Sequence, residues 1–322
     1  TPRDRRDESR LFVYDTTTDT VTFDIFRNLA KYVPTQSLMV LNNTGVIPAR
    51  VIFRKDTGGK LNGLLLVNEG FDSDGAIACI VDEQIFPGRK VSLLGTYWFQ
   101  IVRQDEQKFY LKPEFDKELI PRILEECGVT PTPFYLGKME LSEKELRDRY
   151  QTIFAQSKKS VAAPTASLHF TEEVFDSLSL KGVQKVEVTL DVGLGTFADI
   201  EQINVEEKRL HYETFHIPKE SAMSIRHAKQ EKMPIIAVGT TVVRALESGR
   251  DALLGVSEED VVGGTTLFIK LPYDFKIVDH LITNFHVPKS SLMALVDAFL
   301  EHKRSKRRIL DLYQIALEEG FQ

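Results

Sequence analysis

The stretch GGKLNGLLLVNEGFDSDGAIACIVDEQIFPG, residues 58–88, decides how the chain is read. Turn signals at Gly58-Gly59, Asn68-Glu69-Gly70, Asp72 to Gly75 and Pro87-Gly88 cut it into short apolar runs. No helical period emerges, and the same texture continues to Gln107. Short strands with frequent turns predict a small all-β module, a barrel or a sandwich. The flanks read differently. Upstream, strands are expected at 11–14, 20–23 and 38–41, with a helix near 26–33. Pro113, Pro121, Pro131 and Pro133 then mark a linker around a short helix at 121–127. Downstream, strand and helix alternate: helices at 173–180, 219–230 and 241–248, strands at 185–192, 235–238, near 266–270 and at 276–281, and a long C-terminal helix from about 290. Along 185–192, Val186, Val188, Leu190 and Val192 alternate with polar residues, so one face is buried. The order predicts an α/β domain interrupted by a β insert.

Composition sets the class. The chain has 322 residues, 42% hydrophobic and 27% charged, as a globular protein long enough for two domains has. No apolar run approaches the roughly 18 residues that span a membrane. The first ten residues, TPRDRRDESR, do not read as a secretory signal. A cytoplasmic protein with no membrane partner is therefore expected. Cys79 and Cys127 have no metal-ligand spacing and read as reduced thiols. The net charge of −6 argues against a chain coated in nucleic acid, but HKRSKRR at 302–308 is locally basic. That run is read either as a solvated face or as a phosphate contact.

Four stretches can carry chemistry. The first, 150–170, passes through Ala162-Ala163-Pro164-Thr165 and ends on His169 and Phe170 before Thr171-Glu172-Glu173, an N-cap followed by two first-turn carboxylates. His169 is either a site residue or a loop histidine satisfied by backbone. In the second, the strand 235–238 feeds Gly239-Thr240-Thr241 and a helix bearing Arg244 and Glu247. Free N–H groups at such a helix start suit an anion or cofactor; the alternative is a cap with a surface ion pair. The third, Asp191 to Phe197, carries Gly193 and Gly195 but lacks the third glycine of a dinucleotide fingerprint; its glycines permit close backbone approach. The fourth is Thr283-Asn284-Phe285-His286. If it stays extended, Asn284 and His286 point the same way. There is no GxSxG, Walker loop, HExxH or CxxC, and His211 and His216 are poorly spaced as ligands.

Together, LNNTGVIPAR (41–50), RYQTIFA (149–155), SVAAPTASLHFT (160–171), VTLDVGLGTF (188–197), His211-Tyr212-Glu213, IAVGTTVVRALES (236–248) and LITNFHVPKSSLMALVDAF (281–299) resemble the S-adenosylmethionine:tRNA ribosyltransferase-isomerase family of queuosine biosynthesis. The resemblance spans most of the chain in the family's order. It implies a discontinuous α/β catalytic domain, 1–57 with 148–322, and an inserted small β-barrel domain at 58–147. It also implies a reaction in which S-adenosylmethionine is a substrate rather than a cofactor. Its ribosyl moiety is transferred and isomerised onto 7-aminomethyl-7-deazaguanine at the tRNA wobble position, giving epoxyqueuosine-tRNA, adenine and methionine, with no metal or redox cofactor. The sulfonium acidifies the neighbouring carbon, so a base within reach can begin the reaction.

The resemblance assigns roles residue by residue. Thr240, Thr241, Arg244, Glu247, Gly193 and Gly195 are expected around S-adenosylmethionine. His169, His286 and Asn284 are expected at the reacting centre, with His169 the better acid/base candidate. Asn42, Arg50, Arg149 and Gln151 are expected to hold base or tRNA. Three positions depart from the family: Asp191 stands where histidine is usual, Gly45 where arginine is usual, and Ser167 where glycine is usual. The family's N-terminal strand is shortened, and its aromatic-Ser-Tyr-Gly-Asp ending does not follow Phe321-Gln322. These departures keep open a catalytically silent or retargeted homologue that binds tRNA or S-adenosylmethionine.

Overall fold

Leu38–Asn42 is buried along its whole length. A run of that kind needs a strand on either side and cover on both faces. The computed structural model, which describes residues 5–105, 107–132, 141–193, 209–256 and 258–321, supplies both. Gln184–Leu190 and Ile235–Val238 flank Leu38–Asn42 in parallel, and His280–Ile282 lies parallel beyond Ile235–Val238. Arg209–Ile217 and Val261–Leu267 extend the other edge antiparallel, completing a six-stranded sheet. The strand's period of two sorts its side chains. Leu38 and Val40 join a core with Ala222, Ile225, Val242 and Leu246 from the helices Lys219–Gln230 and Thr240–Ser248. Met39 and Leu41 face Phe26, Phe170, Val174 and Phe175 on the other side.

The β insert is a closed barrel of six strands: Arg50–Lys55, Lys60–Leu65, Ile77–Val81, Lys90–Leu93, Tyr97–Asp105 and Lys108–Pro113. Closure removes the exposed edges such short strands would otherwise present. Phe53, Leu61, Phe99, Ile101 and Leu111 fill its centre. The barrel begins before residue 58, because Arg50–Lys55 turns Val51 and Phe53 inward and pairs with two barrel strands. A boundary at 58 therefore cuts behind its first strand.

Other departures from the expected elements have local causes. Phe26–Lys31 is a 3-10 helix rather than an α-helix. The strand expected near 266–270 is Val261–Leu267. The strand expected at 276–281 is reduced to His280–Ile282. The backbone N–H groups of Lys276, Ile277 and Val278 instead donate to the buried Glu247 carboxylate at 3.0, 3.0 and 3.2 Å. The expected C-terminal helix is two, Ser291–His302 and Ile309–Glu318. Arg304 breaks it with φ 55°, and Asp297 caps the second piece by accepting from Ile309 N–H at 3.2 Å. The helix Glu143–Arg149, absent from the expected elements, begins at a reciprocal capping box of Ser142 and Glu145. Among the described residues, no helix is long and apolar enough to cross a membrane.

Removing the Glu247 carboxylate leaves three backbone donors without their acceptor in a buried place. Glu247→Ala should lower unfolding free energy by about 3 kcal/mol or more, readable as a shifted denaturant midpoint.

Candidate active site

Ligands in open parallel sheets collect at the carboxyl ends of the strands. Here four motif-bearing turns leave the carboxyl ends of four adjacent parallel strands: Asn42-Asn43-Thr44, Asp191-Val192-Gly193, Gly239-Thr240-Thr241 and Thr283-Asn284. Asn42 ties three of these turns together. Its amide donates to the Leu190 carbonyl at 3.0 Å and to Thr241 Oγ1 at 3.3 Å, and accepts from Leu190 N–H at 3.0 Å and Thr44 N–H at 3.2 Å. Asn42 is wholly buried. It is a positioning residue, and the expected base or tRNA contact is corrected: its amide is already spent on the scaffold.

Gly239, at φ 91°, turns the chain from strand into helix. A side chain there would be strained whatever space it met. Thr240 opens the helix and is nearly buried. Ala166, from the 3-10 turn Thr165–His169, lies against Gly239, which seats that turn over the helix start. Ser167 in the same turn has a buried hydroxyl without a partner.

Arg244 and Glu247 do not pair, although they share a helix. Glu247 is corrected from a ligand residue to the anchor of the 276–278 loop. Arg244 forms a buried ion pair with Glu213, and its Nε donates to the Leu267 carbonyl at 3.2 Å. The other Glu213 oxygen accepts from Gly193 N–H at 3.0 Å. Arg244 Nη2 is buried with no partner among the described residues, a costly condition for a cationic donor. Glu213 carries no ligand signal of its own in the sequence, because a single strand carboxylate forms no motif; Tyr212-Glu213 stands out only through the family likeness. Gly195 lies outside the described residues.

Asp191 is buried behind a chain of hydroxyls. Thr44 Oγ1 donates to Asp191 Oδ1 at 3.0 Å, Ser160 and Thr44 hydroxyls lie 2.8 Å apart, and Val192 N–H donates to Ser160 Oγ at 2.7 Å. Burial pushes the Asp191 carboxyl upward, against the opposing pull of Thr44 and Lys159. Gly45 is buried in Thr44–Val46, which runs parallel to Ser157–Ser160.

The two candidate histidines are held apart by different partners. His169 Nδ1 lies 3.3 Å from the Arg6 carbonyl and its ring packs on Phe26. A carbonyl only accepts, so Nδ1 carries the proton and Nε2 the lone pair. Burial lowers the His169 pKa. His286 bends back onto Thr283, with Nε2 and Oγ1 2.9 Å apart, and burial pushes its pKa down to about 4. Both are therefore neutral at pH 7, and the deeper depression at His286 makes it the weaker base of the two. The condition that Asn284 and His286 point the same way, an extended segment, is not met, because the His286 ring folds back onto the hydroxyl of Thr283, three residues earlier.

Of the expected tRNA residues, Gln151 is also scaffold: its amide brackets Val46, accepting from its N–H at 3.0 Å and donating to its carbonyl at 2.6 Å. Arg50 is exposed on the first barrel strand, and Arg149 ends its helix beside Arg6. The basic run 302–308 is partly neutralised, Arg307 by Asp19 and Arg308 by Asp297. Its Lys303 lies near His280, in the last parallel strand.

The fold and the site thus define an α/β protein with an inserted barrel and a cluster of polar turns at the carboxyl ends of its parallel strands. The sequence profile described as queuosine biosynthesis protein matches residues 1–322, and the chain belongs to that family. It is 38% identical over 330 residues to the S-adenosylmethionine:tRNA ribosyltransferase-isomerase of Fusobacterium nucleatum, covering 99% of this chain and 89% of the relative. It is 40% identical over 324 residues to the protein of the same name from Carboxydothermus hydrogenoformans, covering 98% and 90%. The crystal structure of S-adenosylmethionine tRNA ribosyltransferase from Thermotoga maritima is similar with a TM-score of 0.51 at 30% identity, over 99% of this chain and 90% of that one.

The shifted groups give opposite pH signatures. His286, depressed to about 4, binds fewer protons folded than unfolded, so stability falls as pH drops from about 6.5 towards 4. His286→Gln should flatten that acid limb. Asp191 is raised, so the folded chain holds its proton longer and stability falls as pH rises through that window. Asp191→Asn should remove this loss and gain stability at neutral relative to acid pH. Denaturant midpoints measured against pH check both.

Proposed function

We propose that this protein transfers and isomerises the ribosyl moiety of S-adenosylmethionine onto 7-aminomethyl-7-deazaguanine at the tRNA wobble position, releasing adenine and methionine and leaving epoxyqueuosine-tRNA. The observation that carries the reading is Arg244: a buried guanidinium whose Nη2 has no partner among the described residues, joined through Glu213 to Gly193 at a strand end. Thr240, Thr241 and Arg244 hold S-adenosylmethionine at the start of their helix, and Gly193 gives the ligand close access to backbone. S-adenosylmethionine is consumed as a substrate, and no resident cofactor takes part. The base that starts the reaction removes a proton from the carbon next to the sulfonium. His169 fits that task through its neutral Nε2, while the turn carrying Asn284 and His286 leaves the last parallel strand at the same end of the sheet. Arg50 and Arg149 supply cations for the tRNA backbone.

Asp191 and Gly45 favour a second reading, a homologue that binds S-adenosylmethionine or tRNA without this turnover. One assay separates the two. The protein is incubated with S-adenosylmethionine and tRNA carrying 7-aminomethyl-7-deazaguanine, and adenine, methionine and the mass of the wobble nucleoside are followed. Equal release of both, with the mass gain of an epoxy-ribosyl unit, is expected. Retained binding with no release would establish the silent homologue. In the active protein, Arg244→Lys keeps the charge but loses the planar fork, and should raise KM for S-adenosylmethionine about tenfold, a cost of about 1.4 kcal/mol.

A further inference from the structure

The barrel reaches into the cleft. Its 3-10 turn Val67–Glu69, between the strands Lys60–Leu65 and Ile77–Val81, packs on Arg209–Ile217 of the main sheet. Asn68 in that turn is 8% exposed, and its Oδ1 is buried without a hydrogen-bond partner among the described residues. Its Nδ2 lies on the open side of Gly193, where a Cβ would stand 2.9 Å from it and 3.8 Å from Glu213 Cγ. Glycine at 193 is thus what lets the amide approach. From Gly193 the contacts run on to Glu213 and from Glu213 to Arg244. One small region therefore holds an unpartnered acceptor, Asn68 Oδ1, and an unpartnered cationic donor, Arg244 Nη2, with the Glu213 carboxylate between their carriers. Buried polar groups of this kind are ordinarily satisfied, and among the described residues no side chain satisfies them.

We infer that Asn68 is a ligand-binding residue supplied by the barrel, and that with Arg244 and Glu213 it holds a zwitterionic α-amino-acid group. The ammonium donates to Asn68 Oδ1 and faces the Glu213 carboxylate. The carboxylate accepts from Arg244 Nη2. The Arg244–Glu213 pair presents both signs of charge side by side, which a zwitterion mirrors and a net anion or cation does not. This rests on the reading that S-adenosylmethionine is the substrate, and it assigns the methionyl end to the seam between barrel and sheet. Asn68 was read in the sequence only as part of a turn.

The test compares two ligands that share the adenosine and differ in the amino-acid end. Calorimetric Kd values are measured for S-adenosylmethionine and for 5′-methylthioadenosine on the wild-type protein and on Asn68→Ala. A lost hydrogen bond to a charged group should weaken S-adenosylmethionine about tenfold or more, with 5′-methylthioadenosine unchanged. Asn68→Asp, which keeps an acceptor at the same place, should recover S-adenosylmethionine binding. Equal weakening of both ligands by Asn68→Ala would place the contact on the adenosine part or on barrel packing and overturn the proposal, as would no change in either. A wild-type protein that binds S-adenosylmethionine yet releases no adenine on tRNA would sink the ribosyl-transfer reading while leaving the selective effect of Asn68→Ala measurable.

Discussion

The site hangs on one buried side-chain amide. Asn42 ends the central strand, and its four hydrogen bonds use both donors and both acceptor directions of the group. Because two of them go to Leu190 and one to Thr241, the ends of three parallel strands are fixed relative to one another. Hydrophobic packing could hold the strands side by side, but it has no direction and would not set where each turn begins. An apolar residue at 42 would leave Leu190 and Thr44 backbone groups buried and unpaired. The precision of the strand-end turns is thus a polar property inside an apolar sheet.

The same logic sorts the charged groups. Glu247 and Glu213 are both buried carboxylates, yet they do different work. Glu247 is saturated by three backbone N–H groups and has nothing left to offer a ligand. Glu213 shares itself between Gly193 and Arg244, and it leaves Arg244 with a donor unused. A buried ion pair stabilises a fold little unless its remaining valences are filled. An incompletely filled pair at a strand-end cleft is therefore better explained by a ligand than by stability. Asn68, with its own unused acceptor, belongs to the same account.

How far the sequence was legible follows from the range of each interaction. Leu38–Asn42, Lys219–Gln230 and Ile235–Val238 were readable because period and run length report burial directly. The insert was readable because its turns are local. The closure of its strands into a barrel is a non-local fact, and it drew in Arg50–Lys55 from beyond the expected boundary. Residues 276–278 looked like a strand, since Phe275, Ile277 and Val278 are apolar, but a carboxylate some thirty positions earlier claimed their backbone. Among the site residues, Gly239, Thr240 and Arg244 stood out because a strand–turn–helix step is written in consecutive residues. Asn68 and Glu213 come from elements far apart in sequence, and no spacing joins them. Asn42 and Gln151 were recognised as special, but polarity alone does not separate a residue that touches a ligand from one that holds up the backbone.

Asp191 shows how a local change can be absorbed without disturbing this frame. An ionised carboxylate accepts only, so Thr44 must donate to it. The Thr44 oxygen is then free to accept from Ser160, and the Ser160 oxygen accepts the Val192 N–H. Every rotor in the chain is set by the one fixed acceptor at its end. A histidine at this position could serve as donor or acceptor and would leave the direction open. Asp191 also adds a negative charge near Glu213, and Lys159 acts against it. The nearby charges then balance as two carboxylates, Asp191 and Glu213, against Arg244 and Lys159. The departure from the family's usual residue thus comes with a polar network ordered around it, so the change at 191 leaves the strand-end turns braced.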